Sequence, residues 1–178
     1  MTGTESNREA RTEVEWCRDP AKAQEVARLF VAHADVAYIS HSELMFGRAS
    51  ARDRWSDDLR DRISGEAARA IADAPAHGAS SRTRLASATI DGRFVGFAFV
   101  SFPASAGTPF GVVEDLLIAP EHRGRGVGRA VLAWIADECR ALGCRRLFLE
   151  SGVANHDAHG FFARQGFGQT SIVMMREL

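Results

Sequence analysis

Apolar and polar positions change period several times along this chain, and each change marks an element. Val14, Glu15, Trp16 and Cys17 make a short strand pattern. Asp19-Pro20 then reads as a helix start, since aspartate caps free amides and proline suits the first helical position. Val26, Leu29, Phe30 and His33 recur at helical spacing, which predicts a helix ending near His33 or Ala34. Residues 35–50 keep no clean period. Residues 52–74 are helical again, marked by Trp55, Leu59, Ile63 and Ile71, with Gly65 as a candidate break, and residues 75–81 read as a loop.

Two strand patterns, 85–90 and 93–102, flank Asp91-Gly92, a pair that accepts the positive φ of a tight hairpin. Residues 103–111 form a loop rich in Ala, Gly, Ser and Pro, and residues 112–118 a dense apolar run interrupted by Glu114 and Asp115. Residues 129–142 place Val131, Leu132, Trp134, Ile135 and Leu142 on one side of a helix that Gly143 stops. A strand over 146–150, a helix over 156–164 and a last strand over 172–176 complete the order β-α-α-β-β-β-α-β-α-β. This order predicts an α/β fold of one layered domain with a mixed sheet. The hairpin supplies antiparallel pairing, and the strand–helix–strand unit from 112 to 150 supplies parallel pairing.

Composition narrows the partners. The 178 residues are 46% hydrophobic and 25% charged, which fits a single globular domain over 13–178 behind a polar, frayed tail at 1–12. No apolar run approaches the ~18 residues of a membrane span, and 1–12 has neither a signal- nor a transit-peptide pattern. A cytoplasmic protein is expected. Cys17, Cys139 and Cys144 contain no CxxC pair, so a zinc ribbon or dithiol site is not expected, and a reducing compartment fits. A net charge of -1 argues against binding nucleic acid or an anionic membrane.

The segment that carries chemistry runs from the strand at 112–118 through Pro120-Glu121-His122-Arg123-Gly124-Arg125-Gly126-Val127-Gly128-Arg129 into a helix. Loop amides and a helix N-terminus facing one way make an anion site, and the glycines let a phosphate approach the backbone. Arg123, Arg125 and Arg129 add positive charge. The spacing lacks the third glycine of the dinucleotide fingerprint. The Gly-Lys-Ser/Thr of a Walker loop is absent too, Lys22 being the only lysine.

Arg123-Gly124-Arg125-Gly126-Val127-Gly128 resembles the acetyl-CoA loop of the Gcn5-related N-acetyltransferase (GNAT) family. Glu114-Asp115-Leu116-Leu117-Ile118 is similar to that family's fourth strand. Asn155, Ala158, Phe161-Phe162 and Gly166-Phe167 resemble its following helix, and Met174-Met175-Arg176-Glu177-Leu178 its closing strand. The resemblance covers about residues 85–178. It implies a GNAT-type mixed β-sheet with helices on both faces and two splayed strands that bind acyl-CoA. Leu116 and Ile118 would offer backbone groups to the pantetheine arm, Asn155 would hydrogen-bond it, and the backbone from Arg123 to Arg129, with Gly124, Arg125, Gly126, Val127 and Gly128, would wrap the pyrophosphate. The co-substrate implied is acetyl-CoA, with no metal.

Glu114 stands where several small-amine acetyltransferases of the family keep a carboxylate. The chemistry agrees, because an ammonium cannot attack a thioester until its proton is removed, and burial on an apolar strand raises a carboxylate's pKa toward neutrality. Strand alternation predicts Glu114, Leu116 and Ile118 on one face and Asp115 on the other. The family's usual proton-donating tyrosine falls at Phe162, which has no proton to give. Water or the substrate, His156 or His159, or a reduced efficiency would account for that. No acyl-enzyme nucleophile is evident, so direct transfer in a ternary complex is expected. In this architecture the region between the first two helices lies over the thioester, which makes Tyr38, His41 and Glu43 candidate acceptor-binding residues. The expected reaction is acetylation of a primary amine of a small molecule. Acetylation of a protein amino group and a non-catalytic acyl-CoA-binding module are the alternatives, and a homodimer is expected of the family.

Overall fold

A computed structural model describes residues 11–72, 82–103 and 107–178. The elements are β1 (Thr12–Trp16), α1 (Lys22–His33), α2 (His41–Met45), β2 (Ala49–Ala51), β3 (Arg54–Trp55), α3 (Leu59–Ala72), β4 (Arg82–Ile90), β5 (Arg93–Phe102), β6 (Phe110–Ile118), α4 (Val127–Ala141), β7 (Arg146–Leu149) and α5 (His156–Arg164). Short 3-10 turns stand at Val36–Tyr38 and Pro120–His122.

Five strands form one sheet in the order β1-β4-β5-β6-β7, and β2 and β3 form a small separate hairpin. All pairs in the large sheet are antiparallel except β6 with β7. β5 is central and buried on both faces, so it reads as a continuous apolar run rather than an alternation. Phe97 and Phe99 join Phe30, Ile63 and Leu117 under α1 and α3. Val95, Ala98 and Val100 join Val113, Val131 and Ile135 under α4, with Phe161, Phe162 and Phe167 of the α5 region packed against them. The mixed sheet covered by helices on both faces is thus observed. The hairpin turn has the expected backbone, with φ of 49° at Asp91 and 72° at Gly92.

Two irregularities of β6 shape the site. Its pairing with β7 runs only from Phe110↔Arg146 to Val113↔Leu149, while β6 continues to Ile118, so the two strands part beyond Val113. On the other side, Phe99 pairs with Asp115 and Val100 with Val113, which leaves Glu114 as the extra residue of a β-bulge. The bulge corrects the expected alternation. Leu116 and Ile118 do pack with α4, and Leu117 packs on the opposite face. Glu114, the bulged residue, lines the same cavity as Leu116 and accepts from the Ser101 hydroxyl of β5.

Other expectations need revision. Trp55 belongs to β3, the helix after it begins at Leu59, and Gly65 lies inside α3 without breaking it. The aperiodic stretch before it holds α2 and β2. Helix α4 begins at Val127, two residues early, because Gly126 takes the left-handed N-cap position at φ 83°. Thr12 is already in β1, while residues 1–10 and the loop expected at 75–81 lie outside the described residues. The last strand does not form. Residues 168–178 are exposed and carry no regular secondary structure.

Candidate active site

The loop between β6 and α4 is built to leave amides open. Gly124 and Gly126 sit at φ 72° and 83°, where an L side chain is strained. The first bond of α4 runs from the Ala130 N–H to the Gly126 carbonyl at 2.9 Å, and no side chain caps the amides ahead of it. A helix whose first turn is uncapped presents free N–H groups and positive potential to an anion. Arg123, Arg125 and Arg129 are exposed around it. Arg123 is also tethered, its Nε donating to the Ile118 carbonyl at 2.9 Å, which stitches the loop to the end of β6. Val127 is a buried core residue that anchors the helix start. Gly128 lies close to the Phe161 ring, 3.1 Å from where a Cβ would stand.

Where β6 and β7 part, a cavity of about 460 Å³ opens, a volume suited to a small molecule. Its wall includes Tyr38, Glu43, Arg48, Glu66, Glu114, Leu116, Glu150, Ser151, Asn155 and Phe162. Elements far apart in sequence are tied together beneath it. Arg48 donates through Nη1 to Asp115 Oδ2 at 2.9 Å and through Nε to Glu66 Oε2 at 3.0 Å, and lies 3.6 Å from Glu43. The Tyr38 hydroxyl donates to Asp115 Oδ1 at 2.9 Å. Asp115 is 1% exposed, and the guanidinium and the phenol satisfy its carboxylate oxygens there. The Arg48 guanidinium also lies over the Phe30 and Phe99 rings.

Short-range chemistry orders the cavity's lip. Ser40 and Glu43 form a capping box that starts α2, with Glu43 Oε2 accepting from the Ser40 N–H at 2.8 Å. Glu150, just past β7, accepts from the Ser42 N–H at 3.2 Å and hydroxyl at 3.0 Å, and stands 2.6 Å from His41 Nδ1. Gly152 packs so tightly that a Cβ there would collide with the Ala37 carbonyl and lie 2.6 Å from that of Ile39. The segment after β7 is thereby pressed against the turn that carries Tyr38.

Titration follows from these surroundings. Burial raises the Glu114 pKa above its usual 4.5, and the Asp115 and Glu150 charges push the same way, while the Ser101 hydroxyl and Arg48 pull it back. Burial, then the Asp115 charge, holds the Tyr38 phenol protonated well above 10. Burial works against the Arg48 charge, but Asp115 and Glu66 outweigh it and keep the guanidinium ionised. Carboxylates outnumber guanidiniums on the wall, where Glu43, Glu66, Glu114 and Glu150 face Arg48 and Arg69 among the described residues.

The structure brings Glu114, Leu116, Asn155, Tyr38 and Glu43 to one cavity. Ile118 and residues 123–129 form the adjoining loop. Glu43 is buried and committed to the capping box, and His41 stands behind Glu150 rather than on the wall. His156 and His159 are exposed on α5 and do not line the cavity. Sequence reasoning passed over Asp115, Glu66, Ser101, Glu150 and Ser151 as site residues. One signal was present: an aspartate in an apolar strand demands a cationic partner, and Arg48 is that partner. The Ser151 hydroxyl is buried in the wall without a hydrogen-bond partner among the described residues. No group of three or more metal-ligating side chains occurs among the described residues, and none of their helices is long and apolar enough to cross a membrane.

The acetyltransferase (GNAT) family model matches residues 48–167, which span Arg48, the bulged strand, the arginine-glycine loop and α5. The chain belongs to the GNAT family. Among curated relatives of this GNAT protein, a streptothricin acetyltransferase of Streptomyces lavendulae is 40% identical over 89 residues, covering 50% of this chain and 46% of the relative. An aminoglycoside N(6')-acetyltransferase type 1 of Stenotrophomonas maltophilia is 36% identical over 89 residues, covering 47% of this chain and 58% of the relative. The chain thus spans about half the length of the curated relatives it matches. The GNAT fold extends further than that similarity. A solved aminoglycoside N-acetyltransferase in complex with CoA superposes with a TM-score of 0.63 over 97% of both chains at 17% identity.

Proposed function

We propose that this protein transfers the acetyl group of acetyl-CoA to a primary amine of a small cationic molecule by direct attack, with both substrates bound together. The observation that carries the reading is Glu114. It is the bulged residue of β6, stands in the gap where β6 and β7 part, and has its pKa raised by burial. The uncapped α4 turn and the three arginines fit the diphosphate of acetyl-CoA. The stretch of β6 from residue 114 to 118 that β7 does not pair, with Leu116 and Ile118, and Asn155 across the gap fit its pantetheine arm. The bound thioester supplies an activated acetyl carbon. Glu114 takes the first proton from the acceptor's ammonium, the freed nitrogen bonds that carbon and gives its second proton to water, and the carbon–sulfur bond breaks to release the thiolate. Phe162 cannot protonate it. The buried Ser151 hydroxyl donates a hydrogen bond to the departing sulfur, and water supplies the proton.

The acidic wall selects a cationic acceptor, and the streptothricin and aminoglycoside relatives are consistent with a small-molecule amine. The free thiols of Cys17, Cys139 and Cys144 fit a reducing, cytoplasmic setting. Phe162 favours a second reading, a non-catalytic acyl-CoA-binding module. Thiol release from acetyl-CoA across a panel of neutral and polycationic primary amines separates the two. Turnover with cationic amines is expected. Binding of acetyl-CoA with no amine raising release above background would favour the module.

A further inference from the structure

The cavity has a second polar end, on the side of Glu114 opposite β7. Thr83 on β4 is the direct cross-strand partner of Ser101 on β5, and the Ser101 hydroxyl donates to Glu114 on β6. Paired residues share a sheet face, so Thr83, Ser101 and Glu114 make one polar row across three strands. Thr83 and Glu114 both line the cavity. They stand two strand spacings apart, roughly 10 Å in all.

Helix α3 supplies the rest of that end. Glu66 and Arg69 are three positions apart, which puts them on one side of the helix, and both line the cavity. The Arg69 side chain folds back over the turn that carries Glu66, with Nη1 3.5 Å from where a Gly65 Cβ would stand. The two opposite charges do not close on each other. Glu66 accepts from Arg48 through Oε2 alone, and Arg48 is shared with Asp115 and Glu43. Among the described residues, Glu66 Oε1 and the Thr83 hydroxyl have no hydrogen-bond partner, and the Arg69 guanidinium has neither a hydrogen bond nor an ion pair.

An open carboxylate oxygen beside an open guanidinium and a hydroxyl complements an α-amino acid head, which carries an ammonium and a carboxylate on one carbon. The guanidinium fork matches the carboxylate, and Glu66 meets the ammonium. We propose that the acceptor is a diamino acid, held by its head at Glu66, Arg69 and Thr83 and acetylated on its distal amine at Glu114. The inference rests on the transferase reading above and names its substrate class. Two ammonium groups and one carboxylate make the molecule a net cation, as the acidic wall demands. The separation of the two ends sets the distal amine, not the α-amine, at Glu114, with several methylenes spanning the row. The distal ammonium and acetyl-CoA become an amide, free CoA and one released proton, and the head group is unchanged.

Initial rates of thiol release with L-ornithine and L-lysine, set against 1,4-diaminobutane and 1,5-diaminopentane, test this. The diamines keep both amines and lack the carboxylate. The diamino acids are expected to show kcat/KM about tenfold higher or more, the usual worth of a hydrogen bond to a charged group. Mass spectrometry of the product should find the acetyl group on the distal nitrogen. Arg69→Gln should raise KM for the diamino acids about tenfold with kcat held, and Arg69→Lys should restore part of the loss. Arg69 is exposed, so far-UV circular dichroism is expected to be unchanged in both variants. Diamines turned over as well as the diamino acids, acetylation of the α-nitrogen, or an Arg69→Gln that shifts both kinds of acceptor equally would overturn the diamino-acid assignment and leave the transferase reading standing. If no amine of any kind raised thiol release, the transferase reading would fall and this one with it.

Discussion

The two walls that meet at Glu114 are made in opposite ways. On the loop between β6 and α4, backbone amides are left open by glycines at φ 72° and 83°, and the arginines reach into solvent. Beneath the cavity, the charges are spent on one another: Arg48 answers Asp115, Glu66 and Glu43, and Tyr38 completes the set. The first arrangement keeps binding capacity in reserve for an anion. The second uses ionic groups to hold three distant segments in place, with Glu114 at the boundary and, among the described residues, no cation in hydrogen-bond contact with it. Under the proposed function, a site that is open on one side and self-satisfied on the other binds its donor through the main chain and selects its acceptor through shape and surplus negative charge.

Four perturbations test that contrast. Glu114→Gln is expected to lower kcat/KM by about 10²–10⁴ at neutral pH, the usual worth of a general base. The loss should shrink at alkaline pH, where the acceptor amine frees itself; an equal loss at every pH would assign Glu114 to substrate positioning alone. The same substitution should stabilise the fold at neutral pH. A carboxylate whose folded pKa is raised binds its proton more tightly when folded, so its ionisation costs stability as pH rises from the ordinary 4.5 through the raised value. Urea midpoints of the two proteins should therefore converge in acid, and a gap persisting there would contradict the assignment.

Asp115→Ala strips the buried guanidinium of its main partner. A loss of about 3–5 kcal/mol in unfolding free energy is expected, with the acceptor KM rising as the wall relaxes. Gly126→Asp adds a carboxylate and backbone strain at φ 83°, and should weaken CoA binding tenfold or more in calorimetry while the circular dichroism is unchanged. Tyr38→Phe removes one hydrogen bond to Asp115 and should cost about 1 kcal/mol in stability. If Gly126→Asp raised the acceptor KM and left CoA affinity intact, the division of labour drawn between the walls would be wrong.

The difference also explains what could be read from residues alone. The donor loop is local: its glycines, arginines and helix start are contiguous, so spacing and chemistry identify it. The hairpin at Asp91-Gly92 and the central strands were legible for the same reason, being set by turn chemistry and by apolar runs. The acceptor side is non-local. Residues 35–50 show no period because α2 and β2 are short and depend on tertiary partners, notably Arg48 with Asp115, 67 positions apart. Ser40-His41-Ser42-Glu43 carried the capping signature of α2 in plain form and went unread. The bulge at Glu114 escaped strict alternation because an inserted residue leaves no mark in a two-residue period. The strand expected at 172–176 has the right propensity, but these residues form no regular element.

Under the proposed function, the glycine at position 152 bears on how the acceptor could change. Ala37 and Ile39 present their carbonyls where its side chain would otherwise be, so the stretch carrying Tyr38, Ser40 and Glu43 is seated against a smooth surface rather than a knob. A replacement stretch of different length or composition can be exchanged as a cassette provided its backbone returns to that seat. Acceptor range can then diversify while the donor side stays untouched, and the first mutation to forbid such exchange would be any methyl-bearing residue at 152.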